Sequence, residues 1–432
     1  MPSHEPWQRT LAVTAAWTVP GLLVRLNGGE VSYPLQLVVY GAAVVAAAFL
    51  LAWACEAAQV DIANGLVVAA VAFVGILPEY LVEVHFALLG HAEYVTANLT
   101  GASRLLLGLA IAMPAVVALL PGRWRRLHLG PLELPAPHRV ELAVLAVAAG
   151  WSSRTVLTGR LTLLDSAVLI GMYVVYLRRA AMAGGESPAP FGVAAELAAL
   201  PRDQRKRWAR SLMAYAAFVI LLTAVPFSDA VLGAGSIVGI SPYLLLQWIV
   251  PVATETPEIV VAFVLLTHGR GGQSIAVLLA GAVSQYTIAL GTLPLAYALG
   301  PAIGPLPLAG RERVELLLTV GVALYAVAAL LTLRLSRGDS SIMLAAFAAQ
   351  LLVPTVVTRL FFAVVFWAVA LDILLSERRQ LRPLLAALSP ARRSDGREAG
   401  SGPPPPGRGR SPHARSRTRS RAAAAAGRFR PP

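Results

Sequence analysis

The sequence predicts an all-α, polytopic membrane protein of about 10–12 transmembrane helices, built as two inverted five-helix repeats with flanking helices. Two observations predict the class and a third the arrangement. Of 432 residues, 57% are hydrophobic and 14% charged, with a mean hydropathy of +0.66, far from the composition of an ordinary soluble domain. The apolar residues gather in runs of about 20, the length that crosses a bilayer. The third observation is an internal duplication.

Taken in order, the apolar runs fall at 10–26, 35–57, 62–89, 95–120, 140–157, 161–178, 211–232, 241–267, 273–299, 313–334, 341–357 and 360–376. The first lacks a small-residue cleavage pattern and reads as a retained helix. Every second connection is rich in arginine: Arg123, Arg125 and Arg126; then Arg178 through Arg210; then Arg334 and Arg337; then Arg378 and Arg379. The alternate connections hold fewer, chiefly Arg25, Arg160, Arg311 and Arg359. This asymmetry predicts that both termini are cytoplasmic. The Arg-heavy, almost Lys-free composition points to a bacterial inner membrane.

The duplication is legible in two places. RVELAVL opens residues 139–166 and LLDS closes them; RVELLLT opens 313–340 and RGDS closes them, without a gap between the copies. Upstream, LPEYLVEVHFALLGH (Leu77 to His91) parallels TPEIVVAFVLLTH (Thr256 to His268). Each unit therefore holds five helices, an odd number, so the second enters the membrane from the opposite face. The chain divides into an extra N-terminal helix (1–34), a first repeat (35–178), a cytoplasmic linker (179–210), a second repeat (211–357), an extra helix (358–388) and a tail (389–432).

Such repeats typify secondary transporters, with a midplane site beside interrupted helices. Pro78 and Pro257 each remove a backbone donor and are expected to break their helices one turn deep, beside Glu79 and Glu258. Ionisable groups at membrane depth are costly and mark function, and carboxylates there suit a hard cation or a proton. Glu83 lies one turn after Glu79, and Glu255 one turn before Glu258; each is either a second acid or a mouth-lining residue. His85, His91 and His268 lie near the helix mouths, as proton relays or as interfacial hydrogen-bonding groups. Asp165 and Asp339 read as helix caps, and Asp229 carries no clear role.

LPEYLVEV followed by ANLTGASRLLLGL, and TPEIVVAF followed by GAVSQYTIALGTLP, resemble the two alpha repeats of the calcium/cation antiporter superfamily, which includes sodium/calcium and calcium/proton exchangers. The resemblance implies that Glu79 and Glu258 are the paired, cation-coordinating glutamates. It places Asn98, Gly101, Gly281, Ser284 and Gln285 in the motifs that follow, and Thr254 where a hydroxyl or carbonyl ligand stands. For Asn98 and Gln285 an interhelical hydrogen bond competes with ligation. The sequence departs from the pattern at Gly75, Ile76 and Ala102, which leaves fewer oxygens for sodium. It also departs at Arg104 and Leu106, near where an asparagine is common. A guanidinium at 104 either pairs with a pocket carboxylate, repelling a divalent ion, or snorkels to the outer surface.

The function expected is a secondary active antiporter exchanging calcium or another cation for protons or sodium, protons being favoured. The alternatives are a sodium/proton exchanger and a transport-inactive homologue whose site Arg104 occupies. An intramembrane enzyme is disfavoured, since HExxH, paired GxGD aspartates and a serine/histidine pairing are all missing. No cofactor is expected beyond the transported ion, and a lone Cys55 supports neither a disulfide framework nor a cysteine metal site. The net charge of +13 does not signal nucleic-acid binding. Eleven arginines against Asp395 and Glu398 lie between Pro390 and Pro432, in a Pro/Gly/Ser/Arg/Ala tail that cannot bury a core and is expected to sit near anionic lipid.

Overall fold

The computed structural model describes residues 6–28, 31–61, 76–119, 132–183, 190–302 and 304–388. Three expectations lie outside those residues: the first half of the span at 62–89 with Gly75, the arginines at 123–126, and the tail.

The first helices are α1 (Pro6–Ala16), α2 (Val19–Leu26), α3 (Tyr33–Gln59), α4 (Leu77–Leu88) and α5 (Ala92–Leu119). They are followed by α6 (Arg139–Thr158), α7 (Leu163–Ala183), α8 (Val193–Ala199) and α9 (Arg202–Val238). The second half holds α10 (Pro242–Thr267), α11 (Gly271–Ser284), a π-turn at Gln285–Ala289, α12 (Leu290–Leu299), α13 (Gly310–Ala329), α14 (Arg337–Leu352), α15 (Val356–Ser376) and α16 (Arg378–Ala386). Seven spans among the described residues are long and apolar enough to cross a membrane: α3, α5, α6 with its leading turn, α9, α10, the run from α11 through α12, and α15. The other helices are shorter or, like α7, bracketed by Asp165 and the Arg178–Arg179 pair.

Two expected boundaries move. The single helix expected at 10–26 is split into α1 and α2, because Pro20 in the first turn of α2 has no N–H to continue the preceding helix. The Thr18 hydroxyl instead donates back to the Ala15 carbonyl at 2.7 Å. The connection from Arg178 to Arg210 is not a plain loop, since it contains α8 and the first turns of α9. There Arg205 grips Asp61 through two N–H donors at 2.8 and 2.6 Å, and this guanidinium holds the Asp61 carboxyl below its ordinary range.

Four two-residue strands show the inverted symmetry directly. β1 (Leu132–Glu133) precedes α6 and β2 (Arg160–Leu161) follows it; β3 (Leu306–Pro307) precedes α13 and β4 (Arg334–Leu335) follows it. β1 pairs antiparallel with β4, Leu132 opposite Leu335, and β2 with β3, Leu161 opposite Leu306. The start of α6 therefore lies beside the end of α13, and the reverse at the other face. Helices in equivalent repeat positions run in opposite directions, which is inverted topology. The next helices repeat the device: Asp165 accepts from the Thr162 N–H at 2.8 Å, and the Ser336 hydroxyl accepts from the Asp339 N–H at 3.1 Å. Thus Ser336 caps α14, while each aspartate sits three residues after a hydroxyl, in the reciprocal pattern of a capping box.

Small residues bring the repeats together. A Cβ on Gly101 would run into the Gln247 backbone carbonyl, so α5 crosses α10 where only glycine fits. Gly281 packs closely on Leu106, where a Cβ would stand 3.1 Å from the leucine side chain. These crossings bring the polar middles of α5, α10 and α11 into one chamber.

Candidate ion-binding chamber

Glu79 and Glu83 sit one turn apart on α4, and Glu255 and Glu258 one turn apart on α10. Glu79, Glu83 and Glu255 are all buried, with 1%, 0% and 5% exposure. The Gln285 amide joins the two repeats: its Nε2 donates to Glu79 Oε2 and also reaches Glu255 Oε1 at 3.3 Å. The π-turn that begins at Gln285 shifts the helix register where this side chain must point, as such bulges do at functional sites. On the other flank Asn98 Nδ2 donates to Glu83 Oε1 at 3.4 Å. The Glu79 carboxyl lies within hydrogen-bonding reach of both Glu83 and Glu255.

The spare capacity at the acids and amides is acceptor oxygen. Glu79 Oε1, Glu83 Oε2, Asn98 Oδ1 and Gln285 Oε1 are buried without a hydrogen-bond donor among the described residues. Four orphaned oxygens beside three carboxylates are a donor set for a hard cation, and an unfavourable arrangement without positive charge. Among the described residues no three His, Cys, Asp or Glu side chains close into a ready-made metal cage; the acids form a line, with the amides of Gln285 and Asn98 between and beside them.

The structure brings together Glu79, Glu83, Asn98, Glu255 and Gln285 of the residues singled out by sequence. Glu83 and Glu255 thereby lie buried beside Glu79 rather than at a helix mouth. Ser284 and Thr254 are buried at its edge, their hydroxyls donating to their own helices, at 3.2 Å to Ala280 O and 3.1 Å to Val250 O. Glu258 differs from expectation. It is half-buried overall, although its Oε2 is itself buried without a hydrogen-bond donor among the described residues, and its acidic neighbours are Glu255 and Glu56; the acid set against Glu79 is Glu255. The helix break expected at Pro257 is also missing, because α10 continues through Pro251 and Pro257 and flanking turns retain their ladder. The proline removes only its own N–H.

His91 and His268 stand at the ends of α4 and α10, whereas His85 lies within α4 with its ring 5.3 Å from that of Phe86. His91 is 3.5 Å from the exposed Glu93, and His268 Nδ1 lies 2.8 Å from Val264 O while its ring packs on Phe191.

Arg104 is not in this chamber. It is 1% exposed, and its Nη2 lies 2.9 Å from Glu315 Oε2. The same carboxylate is held by Arg359 and approached by Arg311 at 3.9 Å. Arg359, expected in a loop, lies buried in the first turn of α15 and donates to Gln247 Oε1 at 3.0 Å. Neither snorkelling nor occupation of the acid site describes Arg104. Its partner Glu315 was visible only as the glutamate of RVELLLT, the counterpart of Glu141 in RVELAVL; Gln247 carried no motif signal.

The family described as "Sodium/calcium exchanger protein" matches residues 32–181 and 208–356, covering both repeats. The chain belongs to the sodium/calcium exchanger family, within the calcium/cation antiporters. It is similar to a solved H+/Ca2+ exchanger, CAX, at 31% identity and a TM-score of 0.82, covering 88% of this chain and 97% of that one. It also shares its fold with YfkE, at 16% identity and a TM-score of 0.54, over 83% of this chain and 99% of the other. No curated relative matches it. The protein is an integral membrane cation antiporter of the exchanger type, not an enzyme.

Proposed function

We propose that this antiporter exchanges calcium for protons, through the chamber formed by Glu79, Glu83 and Glu255 with Asn98 and Gln285. The observation that carries the reading is the set of buried, unsatisfied acceptor oxygens contributed by both repeats. A divalent cation needs about six to eight oxygens, and these residues supply most of them. Contact among three carboxylates demands positive charge between them, which a metal ion or protons can provide. Competition of the two for one set of acids is sufficient to couple their flows. Because α4 belongs to one repeat and α10 to the other, rocking of the repeats would open the same acids to alternate faces. Glu258, one turn along α10 and beside Glu56, stands on the way in or out.

The 31% identity to an H+/Ca2+ exchanger supports calcium as cargo and protons as the counter-ion. Sodium/proton exchange and a transport-inactive state both relied on Arg104 at the acids, and its pairing with Glu315 removes that support. We place the protein in a bacterial inner membrane with both termini cytoplasmic, from its arginine distribution, and the tail near anionic lipid.

The test is calcium uptake into proteoliposomes containing an entrapped calcium indicator. An imposed pH gradient should drive uptake without sodium, and Glu255→Gln should lower it about 100-fold or more. Uptake driven only by a sodium gradient would overturn the proton assignment; no uptake under either gradient would overturn calcium.

A further inference from the structure

We propose that the arginine cluster around Glu315 binds a small inorganic anion, chloride being the simplest. Three guanidiniums, of Arg104, Arg311 and Arg359, meet one carboxylate. Their other partners, Gln247 and Thr100, are neutral: Arg359 Nη2 donates to Gln247, Gln247 Nε2 lies 3.4 Å from Thr100 Oγ1, and Arg104 Nε donates to the Thr100 carbonyl at 3.0 Å. Glu312, also buried and near Tyr243, pairs with none of the three arginines among the described residues. Counting both acids, the cluster keeps a positive surplus. Buried charge is tolerated when it is compensated, and here compensation is incomplete.

The spare hydrogen-bonding groups complement those of the acid chamber. Arg104 Nη1, Arg311 Nε, Arg359 Nε and the Tyr243 hydroxyl are buried with no acceptor among the described residues, and the one acceptor left without a hydrogen bond beside them, Glu315 Oε2, is ion-paired with Arg104 Nη2. Arg104 and Arg359 are each 1% exposed and Tyr243 6%. These groups lie where three helices begin. Tyr243 is the second residue of α10, Arg311 the second of α13, and Arg359 the fourth of α15. Helix N-termini add partial positive charge and favour anions. Arg104 lies against the Trp248 ring at 5.5 Å and Arg311 over the Tyr243 ring at 3.8 Å, so aromatic rings wall the cluster and a compact anion suits it better than a bulky organic one. Arg311 is 34% exposed along its side chain, which provides the entrance. The anion would lock the first turns of α13 and α15 to α5, across the repeat boundary.

The experiment uses the full-length protein in detergent, unfolded thermally in sodium chloride and in sodium gluconate at equal sodium concentration. A saturable rise of about 2 °C or more in Tm with chloride is expected, as for any ligand bound only by the folded state. Arg359→Gln should abolish the rise. Arg311→Gln, at the partly exposed position, should shift its midpoint to about 10-fold higher chloride, and serves if the first variant does not fold. Identical melting in both salts, or a chloride effect unchanged in the variant tested, overturns the site. A crystal grown in sodium bromide should show an anomalous peak among the three guanidiniums; its absence would count equally against the proposal.

Discussion

The acid chamber and the arginine cluster are built on the same two helices and have opposite characters. α5 supplies Asn98 to one and Arg104 to the other, six residues along or about 9 Å of helix rise. α10 supplies Glu255 to one and Gln247 to the other. Around the acids the surplus groups are acceptor oxygens; in the arginine cluster they are N–H and O–H donors apart from Glu315 Oε2, which is ion-paired with Arg104. The first has the character of a cation site and, among the described residues, is bridged by the amides of Gln285 and Asn98, interactions of a kind a metal ion can replace. The second is tied by ion pairs to a single carboxylate. The difference teaches that burial of charge alone does not single out a candidate ion site. The sign of the unsatisfied groups separates the two clusters.

The contrast breaks most severely at Glu315. Glu315→Ala should destabilise the protein by about 3–5 kcal/mol, since buried guanidiniums would lose their counter-charge; denaturant melts in detergent would measure it. Replacing Arg104 by Met in the same chain should recover part of that loss, and no recovery would mean the two are not coupled.

The next effect is on transport. Glu79→Gln should abolish cation exchange in proteoliposomes, a loss of about 100-fold or more, while leaving melting close to that of the parent, because one buried charge is removed from among like neighbours. Glu258→Gln should cost less than Glu79→Gln or Glu255→Gln, since Glu258 stands at the edge; an equal loss would move the working pair back to Glu79 and Glu258.

The smallest effect is at the Asp61–Arg205 pair, whose side chains are 8% and 13% exposed. Asp61→Asn should cost about 1–2 kcal/mol. The Asp61 carboxyl is held below its ordinary value of 3.8 by Arg205. Its stabilising contribution is therefore fully present above that value and fades as pH falls through the lowered one. A melt series from pH 7 to pH 3 should lose this increment at the acid end in the parent but not in the variant.

Part of the site was legible in the sequence because it is local. A glutamate after a proline inside an apolar run declares itself without a fold, and the matching copies, with Asn98 and Gln285 downstream, named most of the residues that meet. The arginine cluster was less legible. Arg359 and Arg311 read as loop residues at span ends, and the sequence does not show that the first turns of α13 and α15 turn inward on Arg104.

By itself the sequence determined the membrane class, the duplicated order of helices and their inversion, since composition, run length and an odd helix count are properties of the chain read along its length. Only the tertiary structure decided that Glu255 rather than Glu258 stands against Glu79, and that Arg104 answers to Glu315. Residues three apart on a helix differ by about 60° in direction. Which of them faces a partner depends on how each helix is rotated in the bundle, and that is set by glycine crossings and a π-turn whose contacts lie far away in the chain.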